Sequence, residues 1–159
     1  GNPGKRYIKT TSTQAEIAEL LTAFKSQLPM AIGANNHMGS AVTANRDVME
    51  IVLNELHAHN LFFLDSYTSG SSKGPSLART LGYPALKRDM FLDVPDSSDA
   101  TLAAKINSLG NFKGRREPIV IITHCHNRDK LAALQKFIAQ IKGMGLKLTT
   151  LTRARNISA

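Results

Sequence analysis

Short apolar runs alternate with segments of helical periodicity along the whole chain, and this alternation limits its possible folds more than any other feature. Ile17, Leu21, Phe24 and Leu28 recur at the three- and four-residue spacing of an amphipathic helix. The apolar run 31–34 follows and predicts a short strand. Continuous apolar strands between helices indicate parallel β/α packing, because helices cover both faces of such a sheet.

The same pattern continues to the end of the sequence. It predicts helices over about 13–28, 43–60, 75–81, 98–109 and 131–143, and strands over 31–34, 61–64, 85–88, 119–122 and 146–151. Right-handed crossovers arrange such units as an open doubly wound sheet or as a barrel. About five strands are fewer than the roughly eight that close a barrel. We therefore expect an α/β fold, parallel and barrel-like, that is an incomplete barrel.

Length and composition exclude several classes of protein. The 159 residues predict one domain over 1–159, and no apolar stretch approaches the roughly 20 residues that cross a membrane. The single cysteine excludes an internal disulfide. The formal charge of +8 is spread along the chain without interleaved aromatic residues. We expect a solvated basic surface and no nucleic-acid partner, with an anionic partner as the alternative.

Polar groups follow four of the predicted strands. Sites in parallel β/α folds form where the strands end, so we expect these groups to meet on one rim of the sheet. They are amides, carboxylates and imidazoles: Asn35, Asn36, His37, Asp65, Asp89, Asp93 and His124. This convergence is stronger evidence for a site than any single motif.

Each of these residues also has a plainer structural interpretation. The amides of Asn35 and Asn36 could satisfy backbone groups in a tight turn, and Asp65 could cap the segment that follows it. Asp89 and Asp93 could be turn or salt-bridge residues. The two side chains after His124 are expected to be a solvated imidazole and an inert thiol: His126 and Cys125. The residues alone leave these alternatives open.

Segments 32–40, 61–68 and 88–93, together with the strand-end His124, resemble the divergent polysaccharide deacetylase family. The resemblance runs from about residue 1 to 151. It implies a β/α barrel related to the metal-dependent carbohydrate deacetylases, in a protein of the bacterial envelope or periplasm. The implied partner is a carbohydrate polymer, and the implied activity is a hydrolase that removes its acetyl groups.

The resemblance also implies roles for the strand-end residues. A divalent metal, zinc, would polarise the acetyl carbonyl and activate water, with His37 as a ligand. Asp65, or a carboxylate from before Gly1, would be the base, and His124 would protonate the leaving amine. Asn35, Asn36, Asp89 and Asp93 would bind substrate. Whether His37 and Asn36 hold the metal or the substrate carbonyl stays open.

One departure from the family pattern concerns the beginning of the chain. The family's first strand, which ends in an aspartate pair, has no counterpart in this sequence, so we expect a truncated domain with weak or no zinc binding. The alternative is a carbohydrate-binding or envelope scaffold protein without catalysis. The strand 31–34 would present an open edge. We expect it to be covered by a preceding segment, by residues 1–10, or by a second copy in a homodimer.

Overall fold

The computed structural model describes residues 5–157, which divide into two compact units, 5–87 and 88–157. Each unit contains helices and a parallel sheet, so the predicted α/β class is confirmed. The described strands form one three-stranded and one two-stranded sheet, and a closed barrel is not seen among them. The expectation of a single domain stays a prediction. Residues 1–4, part of the predicted covering arm, lie outside the described residues.

The first unit is a three-stranded parallel sheet with helices between its strands. Its elements are α1 (Gln14–Gln27), β1 (Gly33–Asn35), α2 (Ser40–Ala44), α3 (Arg46–Ala58), β2 (Phe62–Asp65), α4 (Gly74–Leu81) and β3 (Ala85–Lys87). The strands lie in the order β1-β2-β3, with Ala34 opposite Phe63 and Leu64 opposite Leu86. β1 therefore lies at one end of this sheet.

Local signals in the sequence set the ends of these helices. A capping box begins α1: Thr13 Oγ1 accepts from the Glu16 N–H at 3.3 Å, and Glu16 Oε2 accepts from the Thr13 N–H at 2.8 Å. The helix ends at Gln27, just before Pro29, as predicted. α4 ends at Leu81 and is capped by Gly82, whose φ of +71° is the left-handed conformation that glycine adopts without steric cost.

The core of the first unit joins α1, α3 and α4 to the sheet. Burying each of its large aliphatic side chains contributes about 1.5–3 kcal/mol relative to exposure. Its buried members are Ile17, Leu21, Val48, Met49, Val52, Leu53, Leu56, Leu61, Phe63, Leu77 and Ala78. The same cluster carries Ile8 of the N-terminal arm, which packs against it partly buried.

The second unit has a separate core around a two-stranded parallel sheet. Its elements are β4 (Met90–Phe91), α5 (Asp99–Ser108), a 3₁₀ turn (Leu109–Phe112), β5 (Ile121–Ile122), α6 (Arg128–Gly143) and α7 (Leu151–Ile157). Met90 lies opposite Ile121 and Phe91 opposite Ile122. Its buried core residues are Met90, Leu92, Leu102, Leu109, Phe137 and Ile141. No helix within residues 5–157 is long and apolar enough to cross a membrane.

One strand prediction in this unit is wrong, and another is confirmed only in part. The segment 146–150 is irregular, with Leu148 58% exposed, and Leu151 begins α7. A strand needs a neighbouring ladder, and no described strand pairs with this segment. The strand predicted over 119–122 is shortened to Ile121–Ile122, because the Asp89 carboxylate takes the Val120 N–H. β4 had no counterpart among the predicted strands.

Candidate functional site

The amides after β1 join the ends of β1 and β2. Asn36 Oδ1 accepts from the Ser66 N–H at 2.7 Å, and Ser66 Oγ donates to the Asn36 carbonyl at 2.7 Å. Asn35 Nδ2 donates to Ser66 Oγ at 3.1 Å. These contacts agree with the plainer interpretation, in which the amides satisfy backbone groups of a turn. Substrate binding by Asn35 and Asn36 stays a prediction.

Asp65 is fully buried at the end of β2 and organises the loop that follows it. Its Oδ1 accepts from the Tyr67 N–H at 2.7 Å, and its Oδ2 accepts from Ser72 Oγ at 2.5 Å. Ser72 Oγ in turn accepts from the Gly74 N–H at 3.2 Å. Both carboxylate oxygens therefore hold the loop 66–74. The base role of Asp65 stays a prediction, and this geometry supplies a structural role.

His37 lies exposed in the loop after β1. It lines a mainly apolar cavity of about 520 Å³, whose other lining residues include Tyr7, Phe24 and Met49. Within residues 5–157, no three His, Cys, Asp or Glu side chains gather as a metal site requires. His37 therefore lacks, in the described chain, the companions that would complete a zinc site.

The strongest acid–base arrangement lies in the second unit. Asp93 and His124 each stand two residues beyond the paired residues Phe91 and Ile122, so the parallel register places them side by side. Asp93 Oδ2 lies 2.9 Å from His124 Nδ1. The Asp93 side chain is 1% exposed, and that of His124 is 48% exposed. An ionised carboxylate only accepts, so Nδ1 carries a proton and Nε2 is left for a ligand.

Lys130 of α6 adds a second cation-capable group to this pair. Its Nζ donates to the same Oδ2 of Asp93. Burial by itself would raise the pKa of Asp93, but the hydrogen bonds and charges of Lys130 and His124 outweigh it and hold that pKa below 3.8. Asp93 is therefore an anion at neutral pH. Its Oδ1 is buried with no hydrogen-bond partner among the described residues.

Aromatic groups surround the exposed part of His124. The ring of Phe91 lies nearly parallel to the imidazole, with the centroids 6.2 Å apart. The His126 ring meets that of His124 edge-on at 6.1 Å, and the Arg88 guanidinium lies 3.9 Å above the Phe91 ring. The imidazole thus has two aromatic neighbours, and the guanidinium of Arg88 lies over one of them.

Asp89 is a structural residue of the second unit. Its Oδ1 accepts from Arg115 Nη1 at 2.5 Å, and its Oδ2 accepts from the Val120 N–H at 2.8 Å. Both oxygens therefore fix the entry to β5. The predicted substrate contact of Asp89 stays a prediction.

The structure thus assembles two groups of predicted residues, one in each unit. Asn35 and Asn36 meet Ser66, the residue after Asp65, and Asp93 meets His124. The convergence of both groups on one rim stays a prediction. The sequence predicted a substrate contact for Asp93, and in the structure its carboxylate contacts the imidazole of His124. The sequence pattern did not indicate Lys130, which contacts the same carboxylate. Asp93 and His124 each lie two residues beyond a strand, but recognising this offset requires β4, which the sequence pattern did not predict.

The chain thus consists of parallel β/α units, and the second unit carries a carboxylate–imidazole pair where its strands end. The chain belongs to the divergent polysaccharide deacetylase family, whose model matches residues 1–154, and the predicted resemblance is confirmed.

Proteins of three bacteria are among those similar to this chain. The uncharacterized protein YibQ of Escherichia coli is 31% identical over 122 residues, covering 77% of this chain and 38% of YibQ. An uncharacterized protein of Haemophilus influenzae is 40% identical over 138 residues, covering 82% and 48%. The crystal structure of the uncharacterized protein ATU2773 of Agrobacterium tumefaciens superposes with a TM-score of 0.76 at 21% identity, covering 96% and 61%. That last likeness concerns the fold alone. The chain spans less than half the length of these two curated relatives.

Proposed function

We propose that this chain is part of a carbohydrate deacetylase-like hydrolase in which His124, oriented by Asp93, protonates the leaving group. The observation that carries the proposal is the 2.9 Å contact between the buried Asp93 Oδ2 and Nδ1 of the half-exposed His124. Membership of the divergent polysaccharide deacetylase family supports an acetylated sugar polymer as the substrate.

The chemistry of deacetylation explains why such a pair is useful. Water gives up a proton to a base as it attacks the acetyl carbonyl, and collapse of the tetrahedral intermediate expels an amine or a sugar hydroxyl. Either group leaves far more readily when a proton reaches it during bond cleavage. The imidazolium form of His124 can deliver that proton from Nε2, because Asp93 holds the other proton at Nδ1. The carboxylate also fixes the ring plane and stabilises the imidazolium before transfer.

Zinc is the metal that the family resemblance implies, and when bound it would polarise the acetyl carbonyl. His37 is the ligand that this chain would contribute. Residues 5–157 do not fit a complete zinc site, since no three His, Cys, Asp or Glu side chains gather among them, at His37 or elsewhere. We therefore derive no step through the metal. The proposal places the protein in the bacterial envelope or periplasm, and a homodimer through the edge of β1 remains part of it.

A carbohydrate-binding or scaffold protein without catalysis is the second candidate. The complete burial of Asp65, with both oxygens bonded to the loop 66–74, favours it, because bulk water does not reach that carboxylate. The two candidates share the sugar polymer as a partner. They differ in whether acetate is released.

The test measures acetate release and glycan binding by the purified protein with added zinc, on acetylated chitin and xylan oligosaccharides. We expect the wild type to release acetate and His124→Gln to lose about 100-fold in kcat with binding retained. His126→Gln is the matched control, because His126 lies two residues away without the Asp93 contact, and it should keep wild-type turnover. Binding without acetate release by the wild type would support the scaffold alternative. Full activity of His124→Gln would contradict the proposed acid.

A further inference from the structure

We propose that Lys130 is a positioning residue that supplies the counter-charge for Asp93, so that His124 is not held as a permanent imidazolium in a buried ion pair. Both donors meet the same oxygen, Asp93 Oδ2. The carboxylate side chain is 1% exposed and that of Lys130 is 20% exposed, so water screens this contact little.

The position of Lys130 in α6 gives an independent reason to connect it with Asp93. Asn127 caps the helix, and its Oδ1 accepts from the Lys130 N–H at 2.9 Å, which places Lys130 in the first turn. A cation in the first turn is opposed by the positive end of the helix dipole. The lysine is therefore unfavourable for the helix by itself, and its contact with Asp93 offsets that cost.

The charges around the imidazole show what Lys130 does. A buried carboxylate requires one nearby positive charge, and the ammonium of Lys130 provides it. A second positive charge on His124, donating to the same oxygen, is then repelled by the first. Two other rings contact the imidazole in the described residues: His126 at its edge, and Phe91, which has Arg88 over it. None of these carries a negative charge that would hold an imidazolium.

Removal of the Lys130 charge reverses this balance. Without Lys130, His124 is the remaining hydrogen-bonded partner of Asp93. We expect the ring to take up a proton, because the imidazolium then provides the positive charge that the buried carboxylate requires. A ring held in that way gives up its proton less readily, which weakens it as a general acid. This consequence for turnover rests on the proposed function, whereas the change in the charge of the ring does not.

The experiment follows the imidazole nitrogens of His124 by ¹⁵N NMR at pH 7.5 in the wild type and in Lys130→Met. We expect a larger imidazolium fraction in Lys130→Met than in the wild type. Lys130→Arg, which keeps the charge, should restore the wild-type fraction. Equal fractions in folded Lys130→Met and wild type would overturn the proposal. Because no substrate is present, a failure of the deacetylase proposal leaves this measurement unaffected.

A second variant covers the case in which Lys130→Met does not fold. The double variant Asp93→Asn with Lys130→Met removes both charges together, so no uncompensated carboxylate remains buried. Its imidazolium fraction should be no larger than that of the wild type. A larger fraction in the double variant would show that the ring is charged for a reason other than Asp93, and would also overturn the proposal.

Discussion

Asp93 and Asp65 are both buried carboxylates at strand ends, yet they have different roles because their hydrogen-bond partners differ. Asp65 gives both oxygens to its own loop. Asp93 gives one oxygen to an imidazole and an ammonium, and its other oxygen is buried without a partner among the described residues. The residue type alone could not separate these two roles, because the difference lies in what the fold brings to each side chain.

Asp93→Asn tests the role of the buried charge. The amide keeps the shape but leaves Lys130 beside a neutral group, so we expect a loss of about 1–3 kcal/mol in the free energy of unfolding. Urea titration measures this loss, and the acetate assay should show a reduced kcat. Asp99→Asn is the control: Asp99 is 82% exposed in its pair with Lys136, and such pairs contribute about 0–1 kcal/mol. Equal losses in the two variants would contradict the role given to Asp93.

Gly74→Ala tests the close packing around Asp65. A Cβ at this position would lie 2.7 Å from Phe63 Cε1 and 3.2 Å from Asp65 Oδ2. We expect a loss of about 1–3 kcal/mol, because the buried ring or the loop must move. Gly70→Ala is the matched control, since a Cβ there meets no atom within 4 Å. Thermal unfolding measures both variants, and an unchanged Tm for Gly74→Ala would show that the loop adjusts without strain.

At the scale of elements, the sequence predicted the helices better than the strands. Helix ends depend on local contacts, such as the caps at Thr13, Ser98 and Asn127, and these can be found within a few residues. A strand depends on a neighbour that is remote in sequence. The segment 146–151 has the composition of a strand but no described partner, and Met90–Phe91 is a strand because Ile121–Ile122 lies beside it.

The hydrogen bonds of Asp96, in the loop before α5, predict that the free energy of unfolding depends on pH in the acid range. Asp96 Oδ1 accepts from Ser98 Oγ and Thr101 Oγ1, each at 2.6 Å, and these bonds lower the pKa of Asp96 to about 2. Because the folded state lowers the pKa of Asp96, the ionised carboxylate stabilises that state at pH values above the ordinary pKa of 3.8. This contribution is lost as the pH falls from about 4 to about 2.

Asp96→Asn should therefore be less stable than the wild type at pH 5, and the difference should shrink as the pH approaches 2. Urea unfolding of both proteins between pH 2 and pH 5 measures it. A difference that is the same at both ends of this range would show that the Asp96 charge does not stabilise the loop.

At the scale of the whole molecule, the positive charge is unevenly distributed along the sequence. Residues 88–157 contain twelve Lys and Arg against six Asp and Glu, whereas residues 1–87 contain eight against six. Lys113 and Arg116 are exposed members of the basic segment before β5. We infer from this charge that an acidic polysaccharide is the partner to test.

The charge distribution predicts salt-dependent glycan binding. Affinity for an acidic polysaccharide, such as a polyuronate, should fall as salt is raised from 50 to about 300 mM, because salt screens exposed charges. Lys113→Glu with Arg116→Glu should weaken this binding at low salt. Arg46→Glu with Arg79→Glu makes the same change of charge on exposed residues of the first unit and should have a smaller effect. Equal effects of the two double variants would indicate attraction to net charge alone.

The central claim is that His124, held by Asp93, gives a proton to the leaving group, and the leaving group itself provides the most direct test. An N-acetyl sugar expels an amine that needs this proton, whereas 4-nitrophenyl acetate expels a phenolate that does not. We predict that His124→Gln loses about 100-fold in kcat on the N-acetyl sugar and little on the nitrophenyl ester. An equal loss on both substrates, or no loss on the N-acetyl sugar, would contradict the assignment of His124 as the general acid.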